Sequence, residues 1–61
     1  MKIKGWIIQT YTNEYANLGW IKKDNPVEFG NSPVRDKEAR LAYIAKLVSL
    51  GETFTVTAIE D

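Results

Sequence analysis

Side chains that could do chemistry are few, because the 61 residues include no histidine and no cysteine. The commonest general base, the thiol nucleophile and the best metal ligands are therefore absent. Among the carboxylates, Asp36 and Glu38 point in different directions on a predicted helix, and Glu60 and Asp61 are at the end of the sequence. We expect no catalytic residue, no metal site and no cofactor, and hence a protein that is not an enzyme.

One segment could hold an anion, at the start of the predicted helix. Free amides at a helix N-terminus attract phosphate groups, and Ser32, Arg35 and Lys37 are all close to that point. No nucleotide-binding glycine pattern is present, however, and Asp36 opposes an anion. We prefer an ordinary helix cap. The alternative is a ligand held by these three residues, with a base stacked on an aromatic side chain such as Tyr11.

The two tryptophans stand in matched Gly-Trp-Ile tripeptides, at residues 5–7 and 19–21. A hairpin that places Trp6 opposite Trp20 would give a stabilising cross-strand aromatic pair, whereas a register shifted by one residue would place Ile7 opposite Trp20. We prefer both indoles as core beneath a helix. The functional alternative is an exposed platform for a partner or a stacked base.

The elements that position these residues follow from β-branched, turn-forming and helix-forming residues. Strands are predicted at 2–12, 18–23 and 53–59, with a short extended piece at 27–29. A helix is predicted over 34–50, with Ser32 as its N-cap and Gly51 in a left-handed conformation after its end. The sequence predicts a single α+β domain over 1–61: a small three-stranded antiparallel-type sheet with one helix packed on one face, in the order β-β-α-β.

The first strand is apolar on both of its faces. Met1, Ile3, Ile7 and Tyr11 alternate on one side, and Trp6 and Ile8 lie on the other. One helix covers only one face of a small sheet, so one of these two sets should lack a covering layer, unless residues 27–29 fold back over it. A misjudged strand or a bulge at Gly5 that exchanges the two faces is the remaining alternative.

The helix carries more apolar surface than one contact needs. Its apolar arc spans roughly 200°, against the roughly 100° that a core-facing stripe requires. We assign one stripe to the sheet: Val34, Leu41, Ile44, Ala45 and Val48. Tyr43, Leu47 and Leu50 extend the arc, either toward the loop near Phe29 or toward a partner, with Arg40 as the polar rim of that contact.

Charge and composition set limits on location and partners. Eight basic residues balance eight acidic ones, so the excess typical of nucleic-acid binders is missing and only local clusters remain. The lack of cysteine fits a cytoplasmic location, and neither a membrane span nor a signal peptide is predicted.

The sequence therefore predicts a small cytoplasmic binding or regulatory protein that occupies a surface of a protein partner and forms a homo-oligomer. Small inhibitors from phages or mobile elements share this profile. The predicted contact residues are Trp6, Ile8, Trp20, Arg40, Tyr43, Leu47 and Leu50. The alternative is a nucleotide-binding or nucleic-acid-binding module that uses Trp and Tyr for stacking and Lys and Arg for phosphates.

Overall fold

In the computed structural model, residues 2–61 are described and form an antiparallel sheet with one helix on one of its faces. The strands are β1 (Ile3–Thr12), β2 (Ile21–Lys22), β3 (Val27–Gly30) and β4 (Thr53–Glu60), and the helix is α1 (Arg35–Ser49). The α+β class is confirmed. The order is β-β-β-α-β rather than β-β-α-β, because the short piece predicted at 27–29 is a strand of the same sheet. The predicted place of Met1 lies outside the described residues.

Strand β1 is the centre of the sheet. Strand β4 pairs with it from Ile3 to Tyr11, along one edge. Strands β2 and β3 share the opposite edge, with Tyr11 opposite Lys22 and Trp6 opposite Phe29. Because both β3 and β4 are antiparallel to β1, they run parallel to each other, and α1 connects them by crossing one face of the sheet.

The predicted register of the first hairpin is wrong. Trp6 pairs with Phe29 and not with Trp20, which belongs to no strand. Residues 13–20 form a wide loop containing a short 3-10 turn (Ala16–Leu18), and β2 begins only at Ile21. Gly19 explains the late start, because its φ of 74° and ψ of −153° are not strand geometry.

The two Gly-Trp-Ile tripeptides need their glycines for different physical reasons. Gly19 adopts a backbone conformation open almost only to glycine, in a loop with free space around it. Gly5 lies inside β1, where a Cβ atom would stand 2.6 Å from the backbone oxygen of Phe29. The repeat is therefore not a structural repeat.

The helix packs on the sheet through a stripe that shares only Ile44 with the one predicted. Positions 36, 40, 43, 44 and 47 are buried or half-buried, whereas Val34, Leu41, Ala45 and Val48 are exposed. The ring of Tyr43 lies 5.6 Å from that of Phe29, and the Arg40 guanidinium lies 4.5 Å from the centre of the Trp6 ring. The side of α1 that faces the sheet therefore differs from the predicted side by a rotation of about 100° around the helix axis, which is the angle between two consecutive residues. Arg40 is consequently part of the helix–sheet contact and not the rim of an outer surface.

The core is thin. Among the described large apolar residues only Ile8 and Leu47 are buried, one in the sheet and one in the helix. The face of β1 that carries Trp6 and Ile8 is the one that α1 covers, and the face with Ile7 and Tyr11 has no second layer among residues 2–61.

A register shift between Ile3 and Gly5 places Ile3 opposite Glu60, on the helix-facing row, so its predicted position on the face of Ile7 is wrong. Of the set predicted to lack a covering layer, Ile7 and Tyr11 remain on that face, and both are half-buried.

Candidate interaction surface

Strand β4 has a free edge. Within residues 2–61 it pairs only with β1, so no strand occupies its outer side. The strand is eight residues long, contains no proline, glycine or lysine, and has its only charge at Glu60. Natural proteins protect such edges with short strands, charges, proline or bulges, because unpaired backbone groups are a template for another strand. None of these protective features is present along residues 53–58, and the one irregularity in the described β1–β4 pairing lies on β1 between Ile3 and Gly5, opposite Ile59 and Glu60.

The opposite edge of the sheet has this protection. The segment 23–26, Lys-Asp-Asn-Pro, separates β2 from β3, so the strand pairing along this side of β1 is interrupted. The buried Gln9 side chain fills the gap, because its Nε2 donates hydrogen bonds to the carbonyl oxygens of Asp24, at 2.6 Å, and of Thr10, at 3.0 Å. Charge, proline and an irregular backbone therefore interrupt this edge, and among residues 2–61 only β4 offers a long, continuous open edge.

The direction of the free backbone groups on β4 follows from β1. The carbonyl oxygen of Thr10 accepts a hydrogen bond from the N–H of Lys23, so the backbone groups of Thr10 point toward β2. In an antiparallel sheet this direction alternates, and the neighbouring Gln9 therefore points toward its partner Thr55 on β4. The N–H and C=O groups that point away from the sheet are then those of Phe54, Val56 and Ala58.

Exposed apolar side chains of α1 lie on the same side as this edge. Tyr43 contacts β3 and Arg40 contacts β1, so the helix surface that follows them around the axis faces β4. At 100° per residue that surface carries Leu41 and Val48, which are 49% and 64% exposed. Val34 and Ala45 extend the stripe, and Val56 on the helix-facing row of β4 is 39% exposed. We call the free edge of β4 together with Val34, Leu41, Ala45, Val48 and Val56 the β4 flank.

A second feature is an open cleft at the end of the sheet where α1 ends. Its volume is about 510 Å³, and Tyr11, Trp20, Lys23 and Glu52 line it. The Nζ of Lys23 donates to both carboxylate oxygens of Glu52, at 2.6 and 2.9 Å, and this hydrogen bond raises the pKa of Lys23. The cleft offers an exposed indole at Trp20 and one internally paired cation.

The predicted anion position at the start of α1 contains a carboxylate of the chain itself. Asp36 accepts a hydrogen bond from the backbone N–H of Ser32 at 3.0 Å and one from Nε of Arg35 at 3.0 Å. The Arg35 hydrogen bond is the larger cause and the Ser32 amide the next, and together they lower the pKa of Asp36. Ser32 is displaced from the N-cap position, which Val34 takes, but its hydroxyl still accepts from the Arg35 amide at 3.4 Å.

The structure separates the predicted contact residues into three groups. Ile8 and Leu47 are core, and Trp6, Arg40 and Tyr43 are half-buried in the helix–sheet contact. Trp20 and Leu50 are exposed but lie apart from the β4 flank. Sequence reasoning missed Leu41 and Val48 as surface residues because it assigned them to the stripe that packs on the sheet. The sequence did contain a signal for this exposed surface: the apolar arc of the helix is wider than one contact with the sheet can cover, so part of it had to be exposed.

No protein-family model, curated protein or solved structure matches this chain. Within the described part of the chain, no helix is both long enough and apolar enough to cross a membrane. The residues from 2 to 61 also contain no cluster of three or more metal-ligating side chains.

Proposed function

We propose that this protein is a small, non-catalytic binding protein of the cytoplasm that regulates a protein partner by occupying one of its surfaces through the β4 flank. The observation that carries the proposal is the position of the free β4 edge beside the exposed apolar side of α1. Strand addition supplies affinity through backbone hydrogen bonds, and neighbouring apolar side chains supply specificity. A partner that adds an extended segment to β4 would also cover Leu41 and Val48.

Exposed area supports this proposal. The accessible surface is 4652 Å², whereas area scaling gives about 4,000 Å² for a folded monomer of this mass. The radius of gyration is 13.0 Å, against about 10.5 Å for a compact chain of this length. The chain is thus flatter and more exposed than a typical monomer of its size, and it has apolar surface to bury against another molecule.

The test compares variants of the two sides of α1. Immobilised protein is incubated with a lysate of the source cells, the captured partner is purified, and its affinity is measured by calorimetry. We expect the double variant Leu41→Lys and Val48→Lys to weaken binding roughly tenfold or more, as charges at an apolar contact do. Leu50→Lys is the control, because Leu50 is equally exposed but follows the Tyr43 side of the helix. Equal binding by all three proteins, or loss in Leu50→Lys alone, contradicts the proposal.

A second candidate function rests on the cleft. Trp20 is 58% exposed and shares the cleft with Tyr11, an arrangement able to stack a base, and a phosphate would have to take the place of Glu52 beside Lys23. In the variant Trp6→Phe only Trp20 reports by tryptophan fluorescence. Titration with mononucleotides, cyclic dinucleotides and oligonucleotides should change that signal if the candidate is right. No change over the whole panel excludes it.

A further inference from the structure

We infer that the β4 flank pairs with a second copy of this chain, through antiparallel β4–β4 pairing with a two-fold axis at Val56. The inference rests on the proposed function in one respect, since it takes the β4 flank as the interaction surface. It goes further by stating that a second copy of the chain binds this surface and by giving the register of the β4–β4 pairing. The two sheets then become one continuous sheet, with both helices on the same face.

The sequence of β4 is complementary to itself about Val56. A two-fold axis there places Val56 opposite Val56 of the second copy and Phe54 opposite Ala58 of the second copy. The large ring of Phe54 then lies opposite the small side chain of Ala58 on the helix-facing side of the sheet. On the other row Thr55 meets Thr57 of the second copy, a pair that is favourable across strands. A symmetric dimer requires this kind of self-complementary patch.

The free backbone groups select the same register. Phe54, Val56 and Ala58 carry the outward N–H and C=O groups, and a two-fold axis at Val56 pairs these residues only with one another. The pairing completes about six backbone hydrogen bonds. A shift of one residue would bring them opposite Thr55 and Thr57, whose groups already bond to β1, and would leave the free groups unpaired.

Two neighbouring registers also pair the free groups, and charge disfavours both, since an axis moved to Thr55 would place Glu52 opposite Ala58. An axis moved to Thr57 would place Glu60 opposite Phe54, which puts a carboxylate on the apolar row. With the axis at Val56, Glu60 lies opposite Glu52, whose charge is already compensated by Lys23 at 2.6 Å. The chain as a whole carries no net charge that would oppose self-association.

Area is consistent with a dimer. The accessible surface exceeds that expected of a monomer by about 650 Å². A stable interface buries about 800 Å² on each partner, so the excess is of the size that a second copy would remove. Leu41 and Val48 of each copy then face those of the other across the joined β4 strands.

The association should stop at two chains. In the described residues each copy has one long, continuous open edge, which the pairing uses, and its other edge consists of two short strands separated by the segment 23–26. A two-fold contact of this kind closes on itself and cannot extend into a fibre.

The experiment uses the full chain of 61 residues in sedimentation equilibrium, with two charge variants at the axis. Val56→Lys and Val56→Glu each place like charges directly opposite each other, and each should weaken dimerisation roughly tenfold or more. An equal mixture of the two should form a heterodimer, because the opposite charges meet only if the axis is at Val56. Leu50→Lys should remain a dimer, and circular dichroism establishes that every variant is folded.

Hydrogen exchange gives a second readout that does not depend on a substitution. The amides of Phe54, Val56 and Ala58 should become protected as protein concentration rises, while those of Thr55 and Thr57 are protected throughout. A wild-type chain that stays monomeric at millimolar concentration overturns the inference, as does a dimer that survives both Val56 variants. Either result leaves the proposed function to its own test, since partner capture by Leu41 and Val48 is measured separately.

Discussion

At the scale of single residues, Trp6 is the main link between the helix and the sheet. Its ring lies under the Arg40 guanidinium, and its Nε1 donates to Oδ1 of Asn31 at 3.3 Å. Asn31 in turn donates from Nδ2 to the carbonyl oxygen of Ile3 at 2.9 Å. One indole therefore joins α1, the start of β1 and the segment after β3, which explains why this tryptophan is half-buried while Trp20 is not.

Replacing Arg40 by methionine tests the cation–π contact while keeping an apolar stem over the ring. We expect Arg40→Met to lower the free energy of unfolding by about 0.5–1 kcal/mol, measured by urea titration. Lys37→Met is the matched control, because Lys37 is exposed on the same helix and no contact with an aromatic ring is described for it. Equal effects of the two substitutions would show that the Arg40 charge contributes nothing at this position.

Asp36 gives a pH dependence with a defined sign. Its pKa is lowered in the folded chain by Arg35 and then by the Ser32 amide, so the folded state favours the charged form. The resulting stability is complete above the ordinary pKa of 3.8 and is lost as pH falls through the lower folded value. We expect the melting temperature of Asp36→Asn to fall less steeply on acidification than that of the wild type. Glu38→Gln, also in the first turn, is the control, and a wild-type slope in Asp36→Asn would contradict this assignment.

At the scale of elements, the rotation of α1 decides which helix residues are core. Leu47 and Val48 are neighbours in sequence, but Leu47 is 5% exposed and Val48 is 64% exposed. The sequence favoured the opposite arrangement. The reason for the observed one lies in the aromatic side chains, since Tyr43 reaches Phe29 and Arg40 reaches Trp6 only in this orientation.

Two alanine substitutions test which of these neighbouring residues is buried, and hence which side of α1 faces the sheet. Leu47→Ala should destabilise the fold by about 2–5 kcal/mol, as a buried leucine does. Val48→Ala should change the free energy of unfolding by less than about 0.5 kcal/mol in the monomer. Urea unfolding at low protein concentration provides both values. A larger loss for Val48→Ala than for Leu47→Ala would place the helix in the orientation first predicted from the sequence.

At the scale of the whole molecule, the thin core limits stability. A chain of this size seldom draws more than about 3–5 kcal/mol from one core, and no disulfide supplements it because the chain has no cysteine. Association with another molecule adds stability by mass action. This links the exposed β4 flank to the persistence of the fold as well as to function.

If association through β4 stabilises the folded chain, the free energy of unfolding should depend on protein concentration. The urea midpoint of the wild type should rise as concentration is increased, because only folded chains can pair through β4. The midpoint of Val56→Lys should stay constant over the same range. If both midpoints are independent of concentration, the monomer holds all the stability that the chain has, and β4 pairing adds none.

Local pattern accounts for what the sequence predicted correctly. The bounds of β1, α1 and β4 and the left-handed Gly51 after the helix all follow from periodicities and turn residues within short segments. Such signals determine which residues form an element and how its side chains alternate, because neighbours along the chain impose them. They also showed that the helix had more apolar surface than one contact requires.

Only the tertiary structure decided how these elements meet. The apolar arc of α1 allows two rotations, and the choice came from Tyr43 with Phe29 and from Arg40 with Trp6, residues far apart in sequence. The register of β1 was set by β3 and β4, because the loop of residues 13–20 was too wide to set it. The same pairing left β4 without an outer neighbour. A free edge is a property of the assembled sheet, since whether a strand is central or outermost depends on which other strands pair with it.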